Sequence, residues 1–186
     1  MEHSTVKANA EKSMQQALHA LTDELQKVRT GRANVSMLDG VRVIYYGNPS
    51  PLNQVASVSC PDARSFLIAP WEVSILKDIE SALIKANLGM APQNDGKVIR
   101  LKVPELTEER RKDLVKSVKK IAEDARVAIR MGRRDANEAY KKALKDKAIS
   151  EDEQKKYSDE IQTLTDNFIK KVDEVAAQKE ADLLKV

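Results

Sequence analysis

Eight basic side chains recur at helical spacing between residues 112 and 141. Because an α-helix turns by about 100° per residue, they fall within an arc of roughly 100° on one face. We call this set the basic stripe, and its members are Lys112, Lys116, Lys119, Arg126, Arg130, Arg133, Arg134 and Lys141. Four of them are arginines within three turns, and the planar guanidinium fork suits bidentate binding of phosphate. The pattern predicts a phosphate-binding surface on the outside of a long helix.

The alternative is a solvated helix face held by ion pairs between residues four apart, and the sequence leaves it open. We expect few such pairs, because Glu123 is the one acidic residue within the stripe. Aromatic residues make up 4% of the chain, which disfavours a surface that stacks single-stranded bases. A folded RNA or DNA is the favoured ligand, its backbone shape contacted along roughly 58 Å of helix.

The net charge of +3 hides an uneven distribution. Residues 107–145 carry 13 basic and seven acidic groups, whereas residues 146–186 carry seven basic and 11 acidic groups. The positive excess therefore lies on the predicted second helix.

Proline and glycine divide the chain. All six prolines and five of the six glycines lie between Gly31 and Pro104. We therefore predict a discontinuous helical domain, residues 1–30 and 106–186, interrupted by an inserted domain, residues 31–105.

Three long helices are predicted in the outer segments. The first has an apolar seam from Met14 to Val28 and is expected to end in a left-handed cap at Gly31. The second runs from Thr107 to about residue 145, and the third begins at a Ser150–Glu153 capping box. Helices of this length with short links are typical of a three-helix bundle.

The insert is predicted to be a small α/β domain, which makes the whole chain α+β. Strands are expected at 41–46, 55–59, 65–69 and 97–103, with a turn at 60–63 and a helix at 71–88. Two chain segments join the domains and are predicted to act as a hinge. Their residues are Thr30, Gly31, Val103, Pro104 and Glu105.

Residues suited to catalysis are scarce. His3 lies in a terminus expected to fray, His19 is expected on a helix surface, and Cys60 has no histidine nearby in sequence. No phosphate-binding or dinucleotide-binding glycine loop occurs, so we expect neither an enzyme, nor a cofactor, nor a metal. The lone cysteine, the absence of a signal peptide and the absence of a membrane span favour the cytoplasm.

Several motifs, in order along the chain, resemble the bacterial ribosome recycling factor family. They are Val28-Arg29-Thr30-Gly31-Arg32-Ala33, Leu38-Asp39-Gly40 through Tyr45-Tyr46-Gly47, Leu106-Thr107-Glu108-Glu109-Arg110-Arg111-Lys112, Ala125-Arg126-Val127-Ala128-Ile129-Arg130, Arg133-Arg134-Asp135-Ala136-Asn137 and Leu144-Lys145-Asp146-Lys147. The resemblance covers essentially the whole chain.

The resemblance implies an L-shaped, two-domain monomer of about tRNA size. Such a protein binds the post-termination ribosome and, with elongation factor G and GTP, splits it into subunits, releasing mRNA and tRNA. The family's helical domain binds large-subunit ribosomal RNA, and its small domain moves on the hinge. The resemblance places the RNA-binding residues at Arg29, Arg32, Arg110, Arg111, Arg126, Arg130, Arg133 and Arg134.

One departure from the family pattern is Met131-Gly132, where members commonly have Asn and an aliphatic residue. We expect Gly132 to loosen the bundle locally, because glycine lowers helix stability by about 1 kcal/mol. Two other functions remain open: a helical adaptor for protein partners and a general architectural protein for nucleic acid. The first would bind independently of salt, and the second would bind duplex DNA as well as ribosomes.

Overall fold

The computed structural model describes residues 2–185 and divides the chain into two compact units. One comprises Met1–Arg29 and Glu108–Val186, and the other comprises Thr30–Thr107. These boundaries differ by one and two residues from those placed at 30/31 and 105/106. The presence of a helical unit and a unit with β-sheets makes the chain α+β.

The helical unit is a three-helix bundle. Its helices are α1 (His3–Gln26), α4 (Glu108–Lys145) and α5 (Glu151–Leu184). The capping box at the start of α5 is confirmed, since the Ser150 hydroxyl accepts from the Glu153 amide and the Glu153 carboxylate accepts from the Ser150 amide. The expected cap of α1 is wrong: the helix ends at Gln26, and Gly31, although left-handed with φ +77°, lies beyond it.

The bundle core lies along one face of each helix. Met14 and Leu21 of α1, Val118 and Ile129 of α4, and Ile161 of α5 are almost completely buried. Leu18, which the apolar seam also included, is only half-buried.

Gly132 is buried on the α4 face that meets α1. A Cβ at that position would lie 3.4 Å from the Ser13 Oγ and 3.6 Å from the Met14 Cγ. An added methyl group would therefore be in ordinary van der Waals contact with α1. The groove between α1 and α4 beside Gly132 is lined by residues from Val6 of α1 to Ala139 of α4.

The small unit contains a hairpin and a four-stranded antiparallel sheet. Strands β1 (Arg42–Tyr45) and β2 (Asn48–Pro51) form the hairpin. The sheet has the order β3 (Ala56–Asp62), β4 (Ser65–Pro70), β6 (Ile99–Lys102) and β5 (Gln93–Asn94). The turn expected at 60–63 is wrong, because β3 continues to Asp62 with an irregular register after Ser59.

This unit also contains the single-turn α2 (Leu52–Val55) and α3 (Leu76–Lys85), with 3₁₀ turns at Val35–Leu38 and Val73–Ile75. Leu76, Ile79 and Leu83 bury against the sheet, together with Phe66 and Ile68 of β4. Val73 and Ile84 lie within the helix predicted at 71–88, but both side chains are exposed.

Tyr46 lies outside the strand predicted at 41–46, so Tyr45 and Tyr46 do not alternate between the two faces of a strand. The strand ends at Tyr45, and Tyr46 and Gly47 both have positive φ, as in the tight turns that suit the twist of a hairpin. Both hydroxyls donate to the Glu72 carboxylate, at 2.8 and 3.4 Å. The hydrogen bond to Glu72 is the main reason that the pKa of Tyr45 rises to about 12.

Candidate nucleic-acid interface

Helix α4 carries the basic stripe on the side away from its buried residues. Val118, Ala122, Ile129 and Ala136 are buried in the bundle, so the stripe faces solvent or α5. We call its four arginines the arginine row: Arg126, Arg130, Arg133 and Arg134. A single rigid helix of 38 residues fixes their spacing along one line.

Arg126 is partly buried, with 26% of its side chain exposed. Its Nε and Nη2 donate to one oxygen of Asp173 on α5, at 2.9 and 2.6 Å. Its Nη1 donates to Glu123 at 3.1 Å. The Asp173 hydrogen bond is the main cause that raises the pKa of Arg126. Arg126 therefore joins α4 to α5 and has two N–H groups left for a ligand.

Arg130 shares the Glu123 carboxylate. Its Nη1 donates to the second oxygen of Glu123 at 3.1 Å. Glu123 precedes Arg130 by about two helical turns. Hydrogen bonds from Arg126, and then from Arg130, lower the pKa of Glu123 below its ordinary value. One carboxylate thus holds two arginines of the row in fixed orientations.

Arg133 and Arg134 make fewer contacts. The Arg133 Nη1 donates to the side-chain oxygen of Gln162 on α5 at 3.2 Å, which is a neutral partner. Arg134 is exposed and makes no ion pair or hydrogen bond with another side chain within residues 2–185. These two arginines keep their full positive charge available to a phosphate.

The expectation that the stripe has few acidic partners is wrong in part. Beyond the Glu123 pairs, Lys112 pairs with Glu108 at 3.1 Å and Lys141 pairs with Glu138 at 3.1 Å, all on α4. These two pairs are largely exposed, and such pairs are worth little to stability. The interpretation as a solvated face therefore applies to the ends of the stripe better than to Arg133 and Arg134.

The remaining candidate arginines lie outside the arginine row. Arg29 follows α1 in the helical unit, and Arg32 lies in the small unit. Arg110 and Arg111 occupy the first turn of α4, where Arg110 is exposed and Arg111 is half-buried. The Nε of Arg111 is buried without a hydrogen-bond partner among the described residues.

Three of the five candidate hinge residues are tied to the small unit. The Val103 amide donates to the Arg64 carbonyl oxygen at 2.7 Å, and Val103 is buried. Glu105 pairs with the Arg64 guanidinium. A Cβ on Gly31 would lie 3.4 Å from Leu106, so the two connecting segments touch each other inside this unit.

A cluster at the start of α1 was missed by the sequence analysis. The His3 ring stacks on Tyr157 of α5 with ring centroids 3.8 Å apart and planes within 9°. Its Nδ1 lies 2.8 Å from the Tyr140 hydroxyl of α4, and its Nε2 lies 2.9 Å from the Glu160 carboxylate of α5. His3 therefore contacts both other helices of the bundle. The partners are more than 130 residues away along the chain, so spacing alone gave no signal.

Within residues 2–185 no group of histidine, cysteine, aspartate or glutamate side chains is arranged to hold a metal ion. Cys60 is exposed on β3. No helix in the described part of the chain is long and apolar enough to cross a membrane. The arrangement is suited to binding a polyanion along α4.

Comparison with known proteins points to one family. The family model described as ribosome recycling factor matches residues 21–184. The ribosome-recycling factor of Bdellovibrio bacteriovorus is 70% identical over 181 residues, covering 97% of each chain. That of Solidesulfovibrio magneticus is 53% identical over 182 residues, covering 98% of this chain and 99% of the relative.

Two solved structures match the complete fold. The solution structure of a ribosome recycling factor superposes with a TM-score of 0.78 at 35% identity, covering 100% of this chain and 99% of the other. A Thermus thermophilus ribosome recycling factor, placed with Escherichia coli elongation factor G on the post-termination complex, matches with a TM-score of 0.64 at 44% identity, covering 100% of both.

Proposed function

This chain belongs to the ribosome recycling factor family, and we propose that it recycles ribosomes after termination. It binds the post-termination ribosome and, together with elongation factor G and GTP, splits it into subunits and releases mRNA and tRNA. The observation that carries the proposal is similarity over 97% of the chain, at 70% identity, to a ribosome-recycling factor. The structure with elongation factor G on the post-termination complex supports the choice of partners.

In this proposal the helical unit is the ribosome-binding part. The arginine row lies on one helix, which fixes the spacing at which its guanidiniums reach successive phosphates of folded large-subunit RNA. Arg133 and Arg134 contribute most to binding because no carboxylate neutralises them. Arg126 and Arg130 are each paired with Glu123, so they offer a phosphate fewer unoccupied N–H groups. Arg29, Arg32, Arg110 and Arg111 extend the interface beyond the row.

The small unit moves relative to the helical unit in this proposal, on the hinge of Thr30, Gly31, Val103, Pro104 and Glu105. Val103 is hydrogen-bonded to Arg64, and Glu105 forms an ion pair with it. Because these contacts hold both residues to the small unit, the backbone bends mainly at the residues nearest the helical unit. In this proposal the chain exchanges between two angles of the small unit relative to the helical unit. Elongation factor G favours one of them, because a ligand shifts an equilibrium between two conformations by the difference in its affinity for them.

The chain acts as a binding protein and not as an enzyme in this account. GTP is hydrolysed by elongation factor G, and this chain needs no metal or cofactor of its own. It works as a monomer in the cytoplasm, where translating ribosomes are found.

The proposal is tested by light scattering of purified post-termination ribosomes mixed with this protein, its cognate elongation factor G and GTP. Scattering falls only when all three components are present. Ribosomes that stay intact with the complete mixture would contradict the proposal. A tight complex with naked DNA duplex, equal to that with ribosomes, would instead favour a general nucleic-acid protein.

A further inference from the structure

Glu123 has an unusual position for a carboxylate on a surface that binds phosphate. It lies within the basic stripe, and its two oxygens accept from Arg126 and Arg130 at 3.1 Å each. The same surface carries Asp173 of α5 against Arg126. Both carboxylates are 53% exposed, so both present their negative charge at the surface.

A carboxylate and a phosphate compete for the same guanidinium N–H groups. Three donors of Arg126 already bind carboxylate oxygens, and one donor of Arg130 does. A nucleic acid that contacts these two arginines must displace Glu123 or bind the remaining N–H groups in the presence of its negative charge. Either route weakens binding to any phosphate backbone, whatever its shape.

The same contacts also fix where the guanidiniums point. An arginine side chain loses up to about 2 kcal/mol of rotamer freedom when it is immobilised, and here Glu123 and Asp173 have already imposed that order. An RNA whose phosphates match the fixed orientations gains from preorganisation. An RNA with another shape meets the repulsion without that gain.

We propose that Glu123 is a specificity-determining residue of the arginine row, holding Arg126 and Arg130 for a matching RNA surface while weakening binding to other RNA. This inference rests on the proposed function and deepens it. Glu123 acts by positioning the guanidiniums of Arg126 and Arg130 and by repelling phosphate groups, and it makes no contact with the RNA itself. Asp173 supports it by fixing Arg126 from the other side.

The lowered pKa of Glu123 agrees with this role. The hydrogen bonds from both arginines favour the ionised carboxylate, so the negative charge is present throughout the neutral pH range. Replacing it with the isosteric amide removes the charge and keeps the shape of the side chain.

The test compares wild type, Glu123→Gln and Glu24→Gln. Glu24 lies on α1 and pairs with Lys27 at 2.8 Å, with 54% of its side chain exposed. Glu24→Gln therefore makes the same change in net charge at a pair of similar exposure outside the arginine row. Each protein is titrated against post-termination ribosomes and against a generic RNA duplex of random sequence, at a series of salt concentrations.

We expect Glu123→Gln to bind the generic duplex roughly threefold to tenfold more tightly, because the Glu123 carboxylate no longer competes with phosphate for Arg126 and Arg130. The slope of log affinity against log salt should become steeper by about 1, as for one added phosphate contact. Affinity for ribosomes should stay equal or fall, so that the ratio of ribosome to duplex affinity drops at least threefold. Glu24→Gln should leave that ratio unchanged.

Two results would overturn the inference. Equal tightening toward both ligands would show that Glu123 is a general counter-charge, and no tightening toward the duplex would show that it is merely structural. Failure of the wild type to bind ribosomes would instead refute the proposed function, and the inference with it. Circular dichroism at each salt concentration verifies that the variants remain folded.

Discussion

His3 provides the sharpest test of how the bundle is held together at the start of α1. The residue looks dispensable in the sequence, third from the beginning of the chain, yet its ring touches both other long helices. Replacing it with alanine removes the stack on Tyr157 and the hydrogen bonds to Tyr140 and Glu160. The helical unit should become less stable.

The size of the effect follows from the contacts. A stacked aromatic pair contributes about 0.5–1.5 kcal/mol beyond the area that it buries. The hydrogen bond with Tyr140 contributes roughly 1 kcal/mol. Its loss removes the His3 partner of the Tyr140 hydroxyl, and Tyr140 is only 2% exposed. His3→Ala should therefore lower the free energy of unfolding by about 2 kcal/mol. For a chain of this length the melting temperature should fall by roughly 4–8 °C.

Two matched variants separate the contributions. His3→Phe keeps an aromatic ring on Tyr157 and loses the polar contacts, so about half of the stability should return. His19→Ala removes the other histidine, which is 76% exposed and lies 3.6 Å from Asp23 one turn away. That change should stay within about 0.5 kcal/mol of wild type.

The effect of His3→Ala should also depend on pH. The hydrogen bond from His3, followed by that from Lys7, lowers the pKa of Glu160 below its ordinary value of 4.5. A carboxylate whose pKa is lower in the folded state stabilises it above the unfolded pKa and loses that contribution as pH falls through the folded pKa. The difference between wild type and His3→Ala should shrink below about pH 4.5.

Urea unfolding followed by circular dichroism at 222 nm reports on the helical unit, because most helical residues lie there. The experiment is done at pH 7 and repeated between pH 3 and 5. A His3→Ala variant as stable as His19→Ala at pH 7 would refute the reasoning, since it would show that α1 starts without help from α4 and α5.

Two glycine substitutions test the packing and the hinge. Gly132→Ala should stabilise the helical unit by about 0.5–1 kcal/mol in urea unfolding, because alanine favours a helix interior more than glycine does. The new methyl group would lie 3.4 Å from the exposed Ser13 hydroxyl, which can rotate away. Destabilisation would mean that α1 cannot move enough to accommodate the methyl group. Gly31→Ala should destabilise the small unit by about 1–2 kcal/mol in hydrogen exchange, because φ is +77° and Leu106 lies 3.4 Å from the new carbon. If Gly31 belongs to the hinge, ribosome binding by that variant should persist while splitting slows; equal loss of both would argue against it.

The sequence predicted the elements with strong periodicity. Helix α4 was predicted to end near residue 145 and does so, and the Ser150–Glu153 capping box marked the start of α5. These signals are local, because a helix face and a cap each depend on residues three or four apart. The four main strands were also found, with ends shifted by a few residues.

Features that depend on distant residues were not predictable in this way. The contact of His3 with Tyr157 and the pair between Arg126 and Asp173 join residues on different helices. The sequence marked Glu123 as the one acid in the basic stripe, but its sharing by two arginines required side-chain geometry. The positive φ of Tyr46 is a feature of the hairpin turn that alternation alone could not reveal.

Arg133 and Arg134 offer the most direct test of the central claim that this chain splits ribosomes through the arginine row. Light scattering of post-termination ribosomes is recorded with cognate elongation factor G and GTP, for wild type, for the double variant Arg133→Ala/Arg134→Ala, and for Lys12→Ala. Lys12 is an exposed cation on α1, which packs on the buried side of α4. We expect wild type and Lys12→Ala to split ribosomes at similar protein concentrations. The double variant should bind ribosomes about tenfold more weakly, so it should need about tenfold more protein for the same fall in scattering. The slope of log affinity against log salt should be smaller by about 2. Splitting by the double variant at wild-type rates and concentrations would contradict the account.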